Sequence, residues 1–160
     1  MVNLCGWVRL TPCKIPVLIK ISTIARVLRM YNKLSIKAMK REVTILEDNR
    51  DIREICEYLF RLEGYTVNSY ERISAFWETT ATPDLYLLDI MLPDGNGLDI
   101  CKELKAAPHT SAVPVIMMSA HLDVYDVRNT CSAEHFLAKP FSLEKLATIA
   151  AQLIERSKNK

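Results

Sequence analysis

Leu85-Tyr86-Leu87-Leu88-Asp89-Ile90-Met91-Leu92-Pro93-Asp94-Gly95-Asn96-Gly97 carries the strongest signal of architecture in the chain. Four hydrophobic residues run straight into an acid without alternating with polar ones. That is how a strand reads when both of its faces are covered, as in a parallel sheet. Pro83 introduces the run, and the segment Pro93 to Gly97, dense in turn residues, follows it as a loop. Leu98 to Ala106 then reads as helix.

Outward from this strand the chain alternates. Upstream, Val43-Thr44-Ile45-Leu46 is a short β-rich run ending in Glu47-Asp48. Asp51 to Glu63 places Ile52, Ile55, Cys56, Leu59, Phe60 and Leu62 at helical spacing, and Gly64 supplies the stop. Tyr65 to Tyr70 reads as a second strand, and Glu71 to Thr80 as a second helix with Ile73, Phe76 and Trp77 inward. Downstream, Val113 to Met118 is an apolar strand, Leu122 to Thr130 a fourth helix and His135-Phe136-Leu137 a brief fifth strand. Ser142 caps a last helix whose stripe is Leu143, Leu146, Ile149, Ala150 and Leu153. Five strands alternating with five helices predict an α/β fold: a five-stranded parallel sheet, doubly wound, with helices on both faces and right-handed crossovers.

The chain has 160 residues, enough for one domain or one domain with an appendage, and its 49% hydrophobic content fits a soluble globular protein. The net charge of +2 conceals an asymmetry. Eight of the 21 basic residues (Arg9, Lys14, Lys20, Arg26, Arg29, Lys33, Lys37 and Lys40) precede Arg41, and no acid occurs before Glu42; the 13 from Arg41 onward face all 19 acids. An arm of about +8 thus joins a body of about −6, the mark of a tail and a body with different jobs. The expected division is a basic N-terminal extension over 1–40, loose or partly helical, and a folded domain over 41–160.

Ile15 to Met30 is apolar but interrupted by Lys20, Arg26 and Arg29, and without a small-residue cleavage site it is a poor secretory signal. Its acid-free, partly amphipathic character resembles a transit peptide or a membrane-surface helix; a loose tail or an over-extended start is the plainer reading. No run of 18 apolar residues exists, so no transmembrane segment is expected. Cys5, Cys13, Cys56, Cys101 and Cys131 are odd in number and form no CxxC pair, which indicates neither a zinc site nor a disulfide framework. A reducing, cytoplasmic setting fits.

In a parallel sheet, ligands bind outside the carboxyl ends of the strands. The polar residues there are Glu47 and Asp48 after the first strand, Asp89 after the third, Ser119 after the fourth and Lys139 after the fifth. Three carboxylates at one edge repel one another unless a cation shares them, and oxygen ligands with several waters suit Mg2+. The chemistry that needs this set is phosphoryl transfer to a carboxylate: Asp89 as nucleophile, Lys139 neutralising charge and Ser119 donating a hydrogen bond to the transferred oxygens. Each element also has a plainer use. Asp48 or Asn49 is able simply to cap the first helix, and Asp89 before Pro93-Asp94-Gly95 to serve the turn. The joint placement at four strand ends carries the case.

On these motifs (Ile45-Leu46-Glu47-Asp48-Asn49, Leu87-Leu88-Asp89 through Gly95, Met118-Ser119-Ala120 and Phe136-Leu137-Ala138-Lys139-Pro140-Phe141) the sequence resembles the receiver domain of two-component response regulators, from Arg41 to about Arg156. The resemblance implies a flavodoxin-like sheet of order 2-1-3-4-5, with 41–160 as the receiver. It implies Asp89 as phospho-acceptor, Mg2+ held by Glu47, Asp48, Asp89 and the backbone carbonyl of Met91, and phosphoryl contacts from Ser119 and Lys139. Ser119 and Phe136 become the switch pair, acting on a partner-binding surface from Leu122 to Gln152. Phe136 stands where tyrosine is commoner, Ser119 where threonine is, and Ser132-Ala133 where Gly-Ala is usual; none of these removes a reactive group.

The expected function is a phosphorylation-controlled module that is not an enzyme beyond its own phosphoryl transfer and autodephosphorylation. The donor is a sensor histidine kinase and the output a downstream protein, with a phosphorylation-dependent dimer allowed. Because only Ser157 to Lys160 follow the last helix, a stand-alone receiver is expected, with relay to a histidine phosphotransfer protein as the alternative. An aspartyl-nucleophile phosphatase would place its nucleophile after the first strand with a second Asp two residues on, unlike Asp89-Ile90-Met91. The basic arm raises nucleic-acid or anionic-membrane binding separately, whereas the receiver itself is expected to bind no nucleic acid directly.

Overall fold

The computed structural model describes residues 7–9, 18–20, 41–79, 81–120 and 130–159. The chain divides into two compact units, Met1–Lys40 and Arg41–Lys160. In the first, β1 (Trp7–Arg9) pairs antiparallel with β2 (Leu18–Lys20) through Trp7↔Lys20, Val8↔Ile19 and Arg9↔Leu18. Nothing further of the expected extension over 1–40 lies within the described residues.

The second unit contains β3 (Glu42–Leu46), α1 (Arg50–Leu62), β4 (Thr66–Tyr70), α2 (Ile73–Trp77) and β5 (Leu85–Asp89). A small hairpin of β6 (Met91–Leu92) and β7 (Gly95–Asn96) follows, then α3 (Gly97–Ala106), β8 (Val115–Ser119), β9 (His135–Ala138) and α4 (Leu143–Lys158). Five strands form one all-parallel sheet in the order β4-β3-β5-β8-β9. Counting only those strands, this is the expected 2-1-3-4-5. The expected helix over Leu122 to Thr130 lies, but for Thr130, outside the described residues.

Strand alternation sorts the core into two layers. Val43, Ile45, Leu85, Leu87, Ile116 and Met118 meet Cys56 and Phe60 of α1 and Leu146, Ala150 and Ile154 of α4. Leu46, Tyr86, Leu88, Val115 and Met117 meet Phe76 of α2 and Ile100, Cys101 and Leu104 of α3 on the opposite side. Apolar burial on both faces is why the central strands read as unbroken hydrophobic runs.

Local chemistry sets the helix ends. The Asn49 side chain accepts from Ile52 N–H at 3.1 Å and opens α1. Gly64, at φ +89°, closes it: the Gly64 N–H donates to Arg61 O and the Tyr65 N–H to Phe60 O. Ser142 caps α4 by accepting from Lys145 N–H at 3.2 Å.

Two expectations need correction. The second helix runs only over Ile73–Trp77, and Trp77 is exposed rather than inward. Its start is fixed by Asp94, whose carboxylate accepts from the N–H groups of Ile73 and Ser74 at 3.0 and 3.1 Å. Those donated bonds hold the Asp94 carboxyl below its ordinary value. The expected loop at Pro93 to Gly97 contains half of the β6–β7 hairpin, turned at Pro93-Asp94. On α1, Ile55 and Leu62 also face outward.

Candidate functional site

All five polar residues expected at the strand ends lie at the carboxyl edge of the sheet. β3 and β5 run parallel side by side through Leu46↔Leu88, which brings Glu47 and Asp48 next to Asp89. One carboxylate oxygen from each of Glu47, Asp48 and Asp89 lies within 4.8 Å of the others. β8 flanks β5 through Asp89↔Met118, and β9 flanks β8 through Ser119↔Ala138. The Lys139 N–H donates to Ser119 O at 2.8 Å, which locks the ends of β8 and β9 together.

Lys139 Nζ reaches back across the edge, 2.6 Å from Glu47 Oε2 and 3.0 Å from Asp89 Oδ2. The Lys139-Pro140 peptide that follows is cis. The other Asp89 oxygen, Oδ1, accepts from Ile90 N–H at 2.9 Å, and Glu47 Oε1 accepts from Asn49 N–H at 3.3 Å. Glu47, Asp89 and Ser119 are buried, whereas Asp48 is exposed. Met91 is exposed at the start of β6, and Phe136 is half-buried against the α2/α3-side core.

Burial raises the Glu47 carboxyl, an effect only partly offset by the Lys139 hydrogen bond, and the Asp89 charge adds to it. For Lys139, burial alone would favour the neutral amine. The hydrogen bonds and charges of Glu47 and Asp89 outweigh that and raise it. The site is thus an anionic pocket held by one internal ammonium. Its all-oxygen donor set, buried on one side and open at Asp48, suits a hard divalent cation.

Three supports were not read from the sequence as parts of the site. Asn49, not Asp48, caps α1, so the Asp48 carboxylate makes no hydrogen bond or ion pair among the described residues. Arg53 donates to the carbonyl oxygens of Glu47 and Asp48 at 2.7 and 3.0 Å and fixes the acidic turn from beneath. At Gly97 a Cβ would lie 1.9 Å from Asp89 O, so only glycine lets the start of α3 pass this close behind the acid. Arg53 left no signal beyond its helical position; Gly97 was legible only as a turn residue.

This edge is that of a receiver. The family model described as the response regulator receiver domain matches residues 43–151, and the chain belongs to that family. Among curated proteins, it is 32% identical over 122 residues to the DNA-binding response regulator MtrA of Mycobacterium tuberculosis, covering 72% of this chain and 51% of that one. It is 29% identical over 121 residues to the transcriptional regulatory protein GltR of Pseudomonas aeruginosa, covering 73% and 50%. The chain therefore spans about half the length of the curated relatives it matches. Among solved structures, the signal receiver domain of a histidine kinase from Syntrophus aciditrophicus superposes with a TM-score of 0.67 at 26% identity, covering 75% of this chain and 94% of that one. The chemotaxis response regulator CheY4 of Vibrio cholerae, at 18% identity and a TM-score of 0.65, shares the fold. No helix among the described residues is long and apolar enough to cross a membrane.

Proposed function

We propose that Asp89 accepts a phosphoryl group from the phosphohistidine of a sensor kinase and that the acyl phosphate switches a partner-binding surface. The observation that carries this is the approach of the Glu47, Asp48 and Asp89 carboxylates to within 4.8 Å, with Lys139 paired to two of them. An Asp89 carboxylate oxygen forms the new bond to phosphorus as the phosphorus–nitrogen bond breaks, and the imidazole leaves with the electron pair. Lys139 stands where it offsets negative charge on the transferred oxygens, and Ser119 supplies a hydroxyl beside them. Glu47, Asp48, Asp89 and the Met91 carbonyl would hold Mg2+, which supplies further charge neutralisation.

The protein then acts as a switch rather than a turnover enzyme: the chemistry is its own phosphorylation and dephosphorylation. Ser119 and Phe136 form the pair that reads the phosphate, and Lys139 couples it to the surface beyond β8 and β9. Downstream protein binding is the output that a switched surface supports; relay to a histidine phosphotransfer protein uses the same acceptor. The receiver comprises residues 41–160, and 1–40 form a separate basic extension. A cytoplasmic location goes with a kinase partner of this kind.

Acetyl phosphate with Mg2+ should add one phosphoryl group to the full chain by intact mass. Asp89→Asn and chelation should each abolish it, and Lys139→Ala should retain partial labelling. Equal labelling of Asp89→Asn would sink the assignment.

A further inference from the structure

Three arginines lie on α1. Arg50 and Arg61 each pair with a glutamate one turn away on the same helix, with their side chains in solvent. Arg53 is different: its side chain is only 15% exposed and turns under the acidic edge. Its Nη1 donates to both the Glu47 and the Asp48 carbonyl oxygens, at 2.7 and 3.0 Å. A second guanidinium nitrogen, Nη2, lies 3.8 Å from Glu71 Oε2.

In an extended strand successive carbonyls point to opposite sides. Two neighbouring carbonyls aimed at one nitrogen mark a bend, and the backbone does bend at Asp48. Carbonyl dipoles held side by side repel one another, so such a bend needs a strong donor. A guanidinium supplies it with charge-assisted bonds.

The bend carries the one carboxylate that has nothing else to aim it. Glu47 is fixed by Lys139 and the Asn49 N–H, and Asp89 by Lys139 and the Ile90 N–H. The Asp48 carboxylate makes no hydrogen bond or ion pair among the described residues, because Asn49 takes the helix cap. Its direction is therefore set by the backbone alone.

We propose that Arg53 is a positioning residue for the divalent cation: by clamping the Glu47 and Asp48 carbonyls it presets the Asp48 carboxylate beside those of Glu47 and Asp89. The inference rests on the reading of this edge as a Mg2+ site. Its sign separates it from a plain charge effect. A guanidinium near a cation repels it, so removing the charge alone should tighten Mg2+ binding. Losing the clamp frees Asp48 and should weaken binding. The clamp is the larger effect, since groups that hold a metal ligand in place are typically worth about tenfold or more in affinity.

MgCl2 titrated into the nitrogen-15-labelled full chain at constant ionic strength tests this through the amide shifts of Asp48 and Ile90. Wild type should saturate. Arg53→Met and Arg53→Gln should each weaken Mg2+ by about tenfold, and Arg53→Lys, which keeps a charged donor on a shorter reach, should recover part of that loss. Glu71→Gln, which removes only the exposed ion pair, should leave Kd within about twofold of wild type. In an Asp48→Asn background, Arg53→Met should add less than about twofold, because the ligand it aims is already gone. Amide dispersion without Mg2+ reports that each variant is folded, and either truncation decides the outcome if the other does not fold. Unchanged or tighter binding in the truncations, or the same tenfold loss in both backgrounds, would overturn the proposal and leave the metal reading standing. No saturable binding by wild type would overturn that reading and the proposal with it.

Discussion

Thr44 and Glu47 stand three residues apart along one strand path, both enclosed, and the fold treats them in opposite ways. The Glu47 carboxylate meets Lys139 and the Asn49 N–H, whereas the Thr44 hydroxyl meets nothing. At the carboxyl edge, buried polarity is concentrated and cross-linked: three strands deliver charges that hold one another. In mid-strand it is single and unanswered. A buried charge needs partners from distant elements to be tolerated, while one hydroxyl costs little enough to persist without them.

The largest break in this contrast should come from Lys139→Met, which keeps the stem and removes the charge. Glu47 and Asp89 would stay buried and adjacent without their cation, a loss of about 3 kcal/mol in urea unfolding. Millimolar Mg2+ should recover part of it if the same carboxylates bind the ion. The pH dependence follows from signs. Lys139 is raised in the fold above 10.5, so its stabilisation is complete below that value and disappears as pH climbs through the raised one. The gap between wild type and Lys139→Met should therefore narrow in strong alkali. Glu47, raised by burial, contributes most when protonated and loses that contribution as pH rises past 4.5, the reverse of an ordinary paired carboxylate. A gap that widens in alkali would contradict the pairing.

Gly97→Ala tests the edge through its backbone. The added Cβ would meet Asp89 O at 1.9 Å, so a loss of about 2 kcal/mol is expected with slower labelling of Asp89. Normal stability and normal labelling would show that α3 yields there at no cost. The smallest effect should come from the opposite member of the comparison. Thr44→Val should raise stability by about 1 kcal/mol, because it removes an unpaired hydroxyl without changing shape. Destabilisation by valine would mean that the hydroxyl is satisfied after all.

The strand ends were legible because each functional residue ends a hydrophobic run. Asp89 after Leu85–Leu88 and Lys139 after His135–Ala138 announce themselves by contrast with what precedes them. The helices were legible where both periodicity and caps were present, as in α1 and α4. α2 was not: Ile73, Phe76 and Trp77 suit an inward stripe, yet Asp94 from a distant hairpin fixes where the helix begins, and it ends at Trp77. A contact 20 residues away has no local signature. The same holds for Arg53, whose hydrogen bonds to the Glu47 and Asp48 carbonyls depend on how α1 lies against β3.

The parallel sheet, its two-sided burial and the set of acids, hydroxyl and lysine at one edge were legible in the residues alone, because hydrophobic runs and turn residues are local and strand ends inherit their position from them. Folding in three dimensions gives the cap to Asn49 rather than Asp48 and lets Lys139 span Glu47 and Asp89. The tertiary structure alone showed that Gly97 sits against the Asp89 carbonyl and that the Thr44 hydroxyl is buried without a hydrogen-bond partner. Those outcomes depend on distances between elements far apart in the chain, and no residue carries them alone.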